Sequence, residues 1–269
     1  MPAEPCLLSH AAIENFLSPE FLRPKLHSAN FCIGLLVKIA MMKSSEKDSI
    51  WIGPRKFQIW PDSLELFKFD DEVFYTINSD LVELQQPLID AILNAEYKKL
   101  DPADRLSPGM GGNRVRDLPS LNVAFFELLN ERAKRLFMHV TGSKTAVVDD
   151  CWANVFRDGF YALPHSHKRT IASIVYALDS GHEDDAQSDL FNGLLMFSDP
   201  RMPRCCRDKP GYVSSPAFVS RKPLGRMIIF PSHLTHQVTP YHGRRPRISI
   251  AWNINLTKVP GEVVHDGHV

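Results

Sequence analysis

The sequence lacks any stretch long and apolar enough to cross a bilayer as a helix. Its longest apolar run, residues 31–42, contains Lys38 and falls well short of the ~20 residues a transmembrane helix needs. No small-residue cleavage signature follows that run, so it does not read as a secretory signal either. Net charge is missing too: 31 Lys+Arg balance 31 Asp+Glu. That balance argues against a broad electrostatic surface for nucleic acid or anionic lipid. Cysteine is scarce, with five residues in no pattern, and the adjacent Cys205 and Cys206 lack the spacing of a zinc site. A disulfide framework is therefore excluded and a reducing, cytoplasmic compartment expected. There is no internal repeat and no low-complexity tract.

What is present is an ordinary globular composition, 44% hydrophobic and 23% charged over 269 residues, enough for a self-sufficient core. Residues 1–50 differ in texture and end in the polar stretch 41–47. They read as an N-terminal extension, with Met41 or Met42 as an alternative natural start. Residues 51–269 read as one domain. Within it, Leu81, Val82, Leu84, Leu88, Ile89, Ile92 and Leu93 recur at helical spacing behind Asp80, a candidate N-cap. A Gly- and Pro-rich loop over 101–119 leads to a second helix over 120–140. Phe125, Leu128, Leu129, Leu136 and Val140 stripe that helix, and Gly142 stands at its C-cap position. Helical support thus spans 80–142.

The period then changes. Runs at 145–148, 152–156, 170–178, 194–197, 217–220, 226–230 and 247–256 are short, rich in β-branched and aromatic residues, and separated by Gly, Pro and Asp. Seven or eight such strands over 145–257, preceded by two helices, predict a mainly β sandwich or jelly roll with helices packed outside. The sequence between 181 and 216 is mostly irregular and supplies candidate lids.

The chemistry concentrates in three places. Gly159 is followed by Pro164-His165-Ser166-His167, and two His two apart at a strand edge project to one face. Phe230-Pro231 closes a later strand, and a turn then delivers His236. Three imidazoles on one face leave the opposite coordination positions open, as oxygen-activating non-haem iron requires. Arg247 and Ser249 share a face of the last strand, and a guanidinium beside a hydroxyl is a good receptor for a carboxylate. Arg244 and Arg245 are neighbours, but Arg247 is the one that enters an apolar strand, where an unpaired charge is costly.

From Cys151 to Asn255 the chain resembles the 2-oxoglutarate/Fe(II)-dependent oxygenase family. The match runs through Trp152-x-Asn154 and Gly159, Pro164-His165-x-His167, Ser173-x-x-Tyr176, and Gly193-x-Leu195-x-Phe197-x-Asp199-Pro200. It continues through Phe230-Pro231-x4-His236, Pro240-Tyr241-x-Gly243 and Arg247-Ile248-Ser249-Ile250-Ala251-x-Asn253. Similarity continues more weakly back to Leu64. The resemblance implies a double-stranded β-helix, cupin-like, with Fe(II) at its mouth and 2-oxoglutarate and O2 as co-substrates. It implies His165, His167 and His236 as the metal site, although the broader superfamily usually carries Asp or Glu where His167 stands. Either three imidazoles hold the iron, or His167 is a bystander; the three-His reading is preferred. Arg247 and Ser249 are then expected to bind the distal carboxylate of 2-oxoglutarate, with Asn154 as a further co-substrate contact. Tyr161, Ser173 and His233 are expected around the ligands rather than on the metal.

The implied reaction is hydroxylation of a C–H bond in a small molecule or peptide, with release of succinate and CO2. The acidic loop 182–185 and the basic loop 201–209 are candidate substrate selectors, and His242, His265 and His268 are expected to face solvent. Nothing in the sequence sets the oligomeric state. Two further readings stay open. One is a cupin-type three-His dioxygenase without 2-oxoglutarate, although Ile171 and Ala172 occupy the places where a cupin carries Glu. The other is a non-catalytic binding module on the same barrel.

Overall fold

Residues 247–255 alternate between a polar or small set, Arg247, Ser249, Ala251 and Asn253, and an apolar set, Ile248, Ile250, Trp252 and Ile254. Strand side chains alternate faces, so this segment must separate two environments. In the computed structural model it does so at the heart of the main sheet. The structure describes residues 48–68, 72–99, 112–181, 191–198, 217–218 and 225–258, all within a unit spanning Ser44–Val269. The leader and its two candidate start methionines, the loops 182–185 and 201–209, and His265 and His268 lie outside the described residues.

In chain order the described elements begin with β1 (Ser49–Ile52), β2 (Arg55–Gln58), β3 (Leu66–Lys68), β4 (Phe74–Ile77) and helix α1 (Gln86–Lys99). They continue with β5 (Asn113–Arg116), helix α2 (Ala124–Thr141), β6 (Val147–Phe156), β7 (Ala162–His165) and β8 (Ala172–Asp179). The last are β9 (Leu195–Phe197), β10 (Ala217–Phe218), β11 (Arg226–Pro231), β12 (His236–Val238) and β13 (Arg247–Asn255). The sheets are a seven-stranded one in the order β3-β4-β11-β8-β13-β6-β5, a four-stranded one in the order β10-β9-β12-β7, and the β1-β2 hairpin. From β6 onward successive strands mostly alternate between the two larger sheets, which is jelly-roll topology. The fold is mainly β with flanking helices.

The two faces of β13 explain the layering. Ile248, Ile250, Trp252 and Ile254 are fully buried in the core shared with the helices. Phe126 of α2 stacks on Trp252, and Asn130 accepts a hydrogen bond from its indole N–H at 3.2 Å. Burying each such apolar side chain contributes roughly 1.5–3 kcal/mol, so this face anchors the sheet. On the other face, Arg247, Ser249 and Ala251 line the cleft between the two larger sheets. A smaller cluster that includes Leu195, Phe197, Ile228 and Phe230 packs beside it.

Several expectations are corrected here. The described residues hold eight strands between 145 and 257, within the expected number, but five further strands precede or separate the helices. The single helix expected after residue 79 is a 3-10 turn, Ser79–Leu84, followed by α1. Pro87 has no N–H to give and its ring collides with a preceding helical turn, so the helix restarts there. Asp80 is not an N-cap: it receives two hydrogen bonds from the buried Arg132, at 2.9 and 2.7 Å. The runs at 145–148 and 152–156 belong to the one strand β6, because Asp149 and Asp150 find partners in Asn255 and Arg116 rather than breaking the ladder. Helix α2 does bury the expected stripe and ends at Gly142 in the left-handed conformation, φ +68°.

Candidate metal centre and co-substrate pocket

β7 lies at the edge of the four-stranded sheet, where Pro164 costs no ladder hydrogen bond. Its last residue, His165, is the register partner of His236, the first residue of β12. His167 follows two residues on, with its backbone N–H donating to the Ser232 carbonyl at 2.8 Å. That bond ties the segment after β7 to the turn after β11. The three rings converge: centroids are 4.3 Å apart for His165–His236, 5.0 Å for His167–His236 and 5.4 Å for His165–His167. One nitrogen from each ring lies within 4.8 Å of the others.

Two of the three tautomers follow from simple valence. Nδ1 of His165 is 2.7 Å from the Leu163 carbonyl oxygen, and Nδ1 of His236 is 2.9 Å from that of Leu234. A carbonyl only accepts, so each Nδ1 carries the proton and each Nε2 carries the lone pair. His236 is 4% exposed and packs against the edge of Phe230. Burial, reinforced by the neighbouring His165 and His167, pushes its pKa down to about 3, so it is neutral at physiological pH. His167 is buried too, its Nδ1 is 2.6 Å from Oδ1 of Asn253, and the Trp152 ring lies 5.7 Å away. Imidazole nitrogens converging in this way suit Fe(II).

The cleft beside these rings is lined by β6, β8 and β13 of one sheet and β7, β9 and β12 of the other. Arg247 reaches into it, 5% exposed, with its guanidinium 5.4 Å from the Phe156 ring centre. Burial lowers its pKa to about 10, which leaves it a cation at neutral pH. Its Nη1 is buried without a hydrogen-bond partner. An unpaired buried donor costs ~1–3 kcal/mol, more when charged, and the cleft's described lining residues include no acid to satisfy it. An anionic ligand would. Gly193, at φ +64°, packs against the Arg247 stem so closely that a Cβ would come within 3.0 Å of Cδ.

Ser249 stands in register with Asn154 on β6, which stands in register with Arg114 on β5, so all three side chains share the cleft face. Asn154 accepts a hydrogen bond from the Trp152 indole N–H at 3.0 Å, and its amide N–H groups are what it can offer a ligand.

The structure thus gathers His165, His167, His236, Arg247, Ser249 and Asn154 around one cleft. Ser173 is buried against His167, its Oγ 3.1 Å from Nδ1. His233 is exposed and stands outside the three-His group, and Tyr161 is half-buried outside the described lining. His242 is exposed as expected and meets Asp158 at 3.2 Å. Three participants carried no expectation: Trp152, Asn253 and Arg114, whose guanidinium lies 5.5 Å over the Trp152 ring. The alternation of β13 extended two residues past Ala251 would have exposed Asn253. Arg114 sits in a four-residue strand whose sole apolar residue is Val115, and nothing local marks it.

Residues 150–253 match the family model described as "Putative 2OG-Fe(II) oxygenase". That is the class expected from the resemblance, and the match covers somewhat under two fifths of the chain. No curated protein matches the sequence significantly. Among solved structures the chain is similar to the non-haem α-ketoglutarate-dependent carbocyclase SnoK from nogalamycin biosynthesis. There the identity is 13%, covering 73% of this chain and 85% of that one, with a TM-score of 0.51. It is similar also to a Trichoplax adhaerens prolyl hydroxylase in complex with a hypoxia inducible factor peptide fragment, at 12% identity over 68% and 84% of the chains and a TM-score of 0.48. A third is an oxidoreductase of the 2OG-Fe(II) oxygenase family from Burkholderia pseudomallei, at 14% identity and a TM-score of 0.38. That match covers 51% of this chain and 60% of the other, so the chain spans about three fifths of its length. The carbocyclase likeness speaks for the fold. No helix among the described residues is long and apolar enough to cross a membrane.

Proposed function

We propose that the chain is a 2-oxoglutarate-dependent oxygenase that hydroxylates a C–H bond of a small molecule or peptide, in a cytoplasmic setting. His165, His167 and His236 are the residues that would hold Fe(II), and the catalytic domain starts before the boundary at residue 51 read from the sequence, since Ser49 and Ile50 already pair with β2. The observation that carries this reading is the partnerless Nη1 of Arg247, buried beside three converging imidazoles. The iron, with 2-oxoglutarate and O2, supplies the oxidising power, and succinate and CO2 leave as products.

The chain's own residues orient and shield. Arg247 and Ser249 receive the distal carboxylate of 2-oxoglutarate, a charge-assisted contact strengthened by burial. Asn154, its carbonyl end engaged by Trp152, offers N–H donors to the same molecule. Phe156, Val175, Leu195 and Val238 keep the cleft wall apolar, which limits water around the bound keto acid. The buried, partnerless Nη1 of Arg247 favours this reading over a three-His dioxygenase without a co-substrate, which has no use for that donor.

Anaerobic titration of Fe(II)-loaded protein with 2-oxoglutarate tests the proposal. A visible charge-transfer band that saturates, followed by succinate formation on admitting O2, is the expected result. A full iron load with no band and no 2-oxoglutarate affinity would turn the assignment to the cupin-type chemistry, and no iron uptake to a binding module.

A further inference from the structure

We propose that Asn253 is a positioning residue that makes His167 usable as a metal ligand, by fixing its proton on Nδ1, with Ser173 completing the arrangement. The inference rests on the proposed three-His reading, in which an imidazole stands where the broader superfamily usually carries a carboxylate. A carboxylate offers two equivalent anionic oxygens, so either one ligates. A neutral imidazole has one proton and one lone pair, and only the tautomer with its proton facing away can bind metal.

For His165 and His236 the backbone settles this, because each Nδ1 donates to the carbonyl two residues earlier, Leu163 and Leu234. For His167 the group that meets Nδ1 is a side chain from another strand. Oδ1 of Asn253 lies 2.6 Å from it. Ser173 Oγ lies 3.1 Å from that same Oδ1 and 3.1 Å from Nδ1. An amide oxygen has two lone pairs, so it accepts both the ring N–H and the serine O–H. The hydroxyl proton is then directed at Asn253 and not at the ring, and Nε2 is left with the lone pair on the side of the other two histidines.

The device is rigid. Asn253 and Ser173 are register partners on β13 and β8, two central strands of the seven-stranded sheet. It is also neutral: an amide orients the ring without adding the negative charge that a carboxylate would. Ser173 gives the arrangement a failure mode. Without the amide oxygen, its hydroxyl is free to donate to Nδ1, which would move the ring proton to Nε2 and turn the lone pair away from the metal.

The experiment uses the full chain. Long-range proton–nitrogen NMR of the histidine rings in metal-free protein reads the tautomers, and Co(II) titration by calorimetry and absorption reads the metal site. Wild type is expected to show Nδ1–H for all three histidines. In Asn253→Leu, His167 alone shifts to Nε2–H and the Co(II) Kd rises ~10–100-fold, the usual range for losing an outer partner of a ligand. Asn253→Asp, which keeps an acceptor, binds Co(II) at least as tightly as wild type, and Asn253→Leu combined with Ser173→Ala recovers part of the loss. Wild-type His167 found as Nε2–H overturns the inference, even if Asn253→Leu does not fold. So does a folded Asn253→Leu that binds Co(II) like wild type. A wild type with three Nδ1–H rings that takes up no Co(II) or Fe(II) overturns the iron reading instead.

Discussion

His165 and His236 face each other as register partners across the β7–β12 ladder, with ring centroids 4.3 Å apart. Each ring is held by a carbonyl of its own chain segment, so the pair is set by backbone geometry before any ion binds. Replacing His236 with Ala removes half of that preset pair. Fe(II) affinity should fall by more than the ~100-fold seen at most for losing an outer partner, as measured by calorimetry under anaerobic conditions. His233→Ala, three residues away but exposed, should bind Fe(II) like wild type.

Arg247 should separate co-substrate binding from metal binding. A hydrogen bond to a charged group contributes ~1.5–3 kcal/mol, so Arg247→Ala should weaken 2-oxoglutarate by roughly 10–150-fold and leave Fe(II) affinity unchanged. Arg247→Lys should recover little, since one ammonium cannot reproduce the planar fork. Titration of the visible band reads both. Unaltered 2-oxoglutarate binding in Arg247→Ala would remove this residue from the co-substrate site.

The burial of His236 carries a pH dependence. Its proton affinity is depressed in the folded chain, to a pKa of about 3, against ~6.5 when unfolded. Between those values the unfolded chain binds the extra proton, so stability is fully present above pH ~6.5 and lost as pH falls. The slope from this one group is at most ~1.4 kcal/mol per pH unit. Denaturant unfolding of metal-free protein at pH 7.5 and 5.0 should show the drop, and His236→Gln should flatten it.

Arg132 is fully buried on α2 and its hydrogen bonds reach Asn78, both oxygens of Asp80 and the Gln58 carbonyl. It joins two segments that precede α1, the end of β2 and the stretch 78–80, to the helix that supports the sheet. Arg132→Ala opens a cavity and leaves the buried Asn78 Oδ1 without its donor, at ~1–3 kcal/mol beyond the cavity itself, whereas Asp80, 39% exposed, turns to water. Thermal unfolding should shift down by roughly 10 °C.

How much of this was legible in the sequence depends on how local the signal was. β13 announced both its faces because nine residues alternate without interruption, and α2 announced itself through an unbroken 3.6-residue stripe. The metal group was legible because His165, His167 and His236 each stand beside a local marker, a Pro or a Phe-Pro strand end. β7 was read only as a strand edge without bounds, since Pro164 hides its extent, and it ends at His165 before His167; β12 escaped because three residues carry no period. Asp80 and Asn253 were misread or missed for a common reason. The partner of each, Arg132 or His167, is far away in sequence, and a side chain whose role is set by a distant partner leaves no local trace.

The neutral nitrogen set at the proposed centre has an electrostatic consequence. Fe(II) held by three imidazoles would keep both positive charges, and Arg247 adds a third, against the two negative charges of 2-oxoglutarate. A carboxylate in place of His167 would lower the cleft's charge by one unit; the imidazole leaves it that much more positive, in a cleft whose described walls carry Arg247 and Arg114 and no acid. Such a cleft draws anions from solution by a long-range field. Its capture of a dianion should slow as ionic strength rises and the Debye length shrinks, more steeply than in His167→Asp.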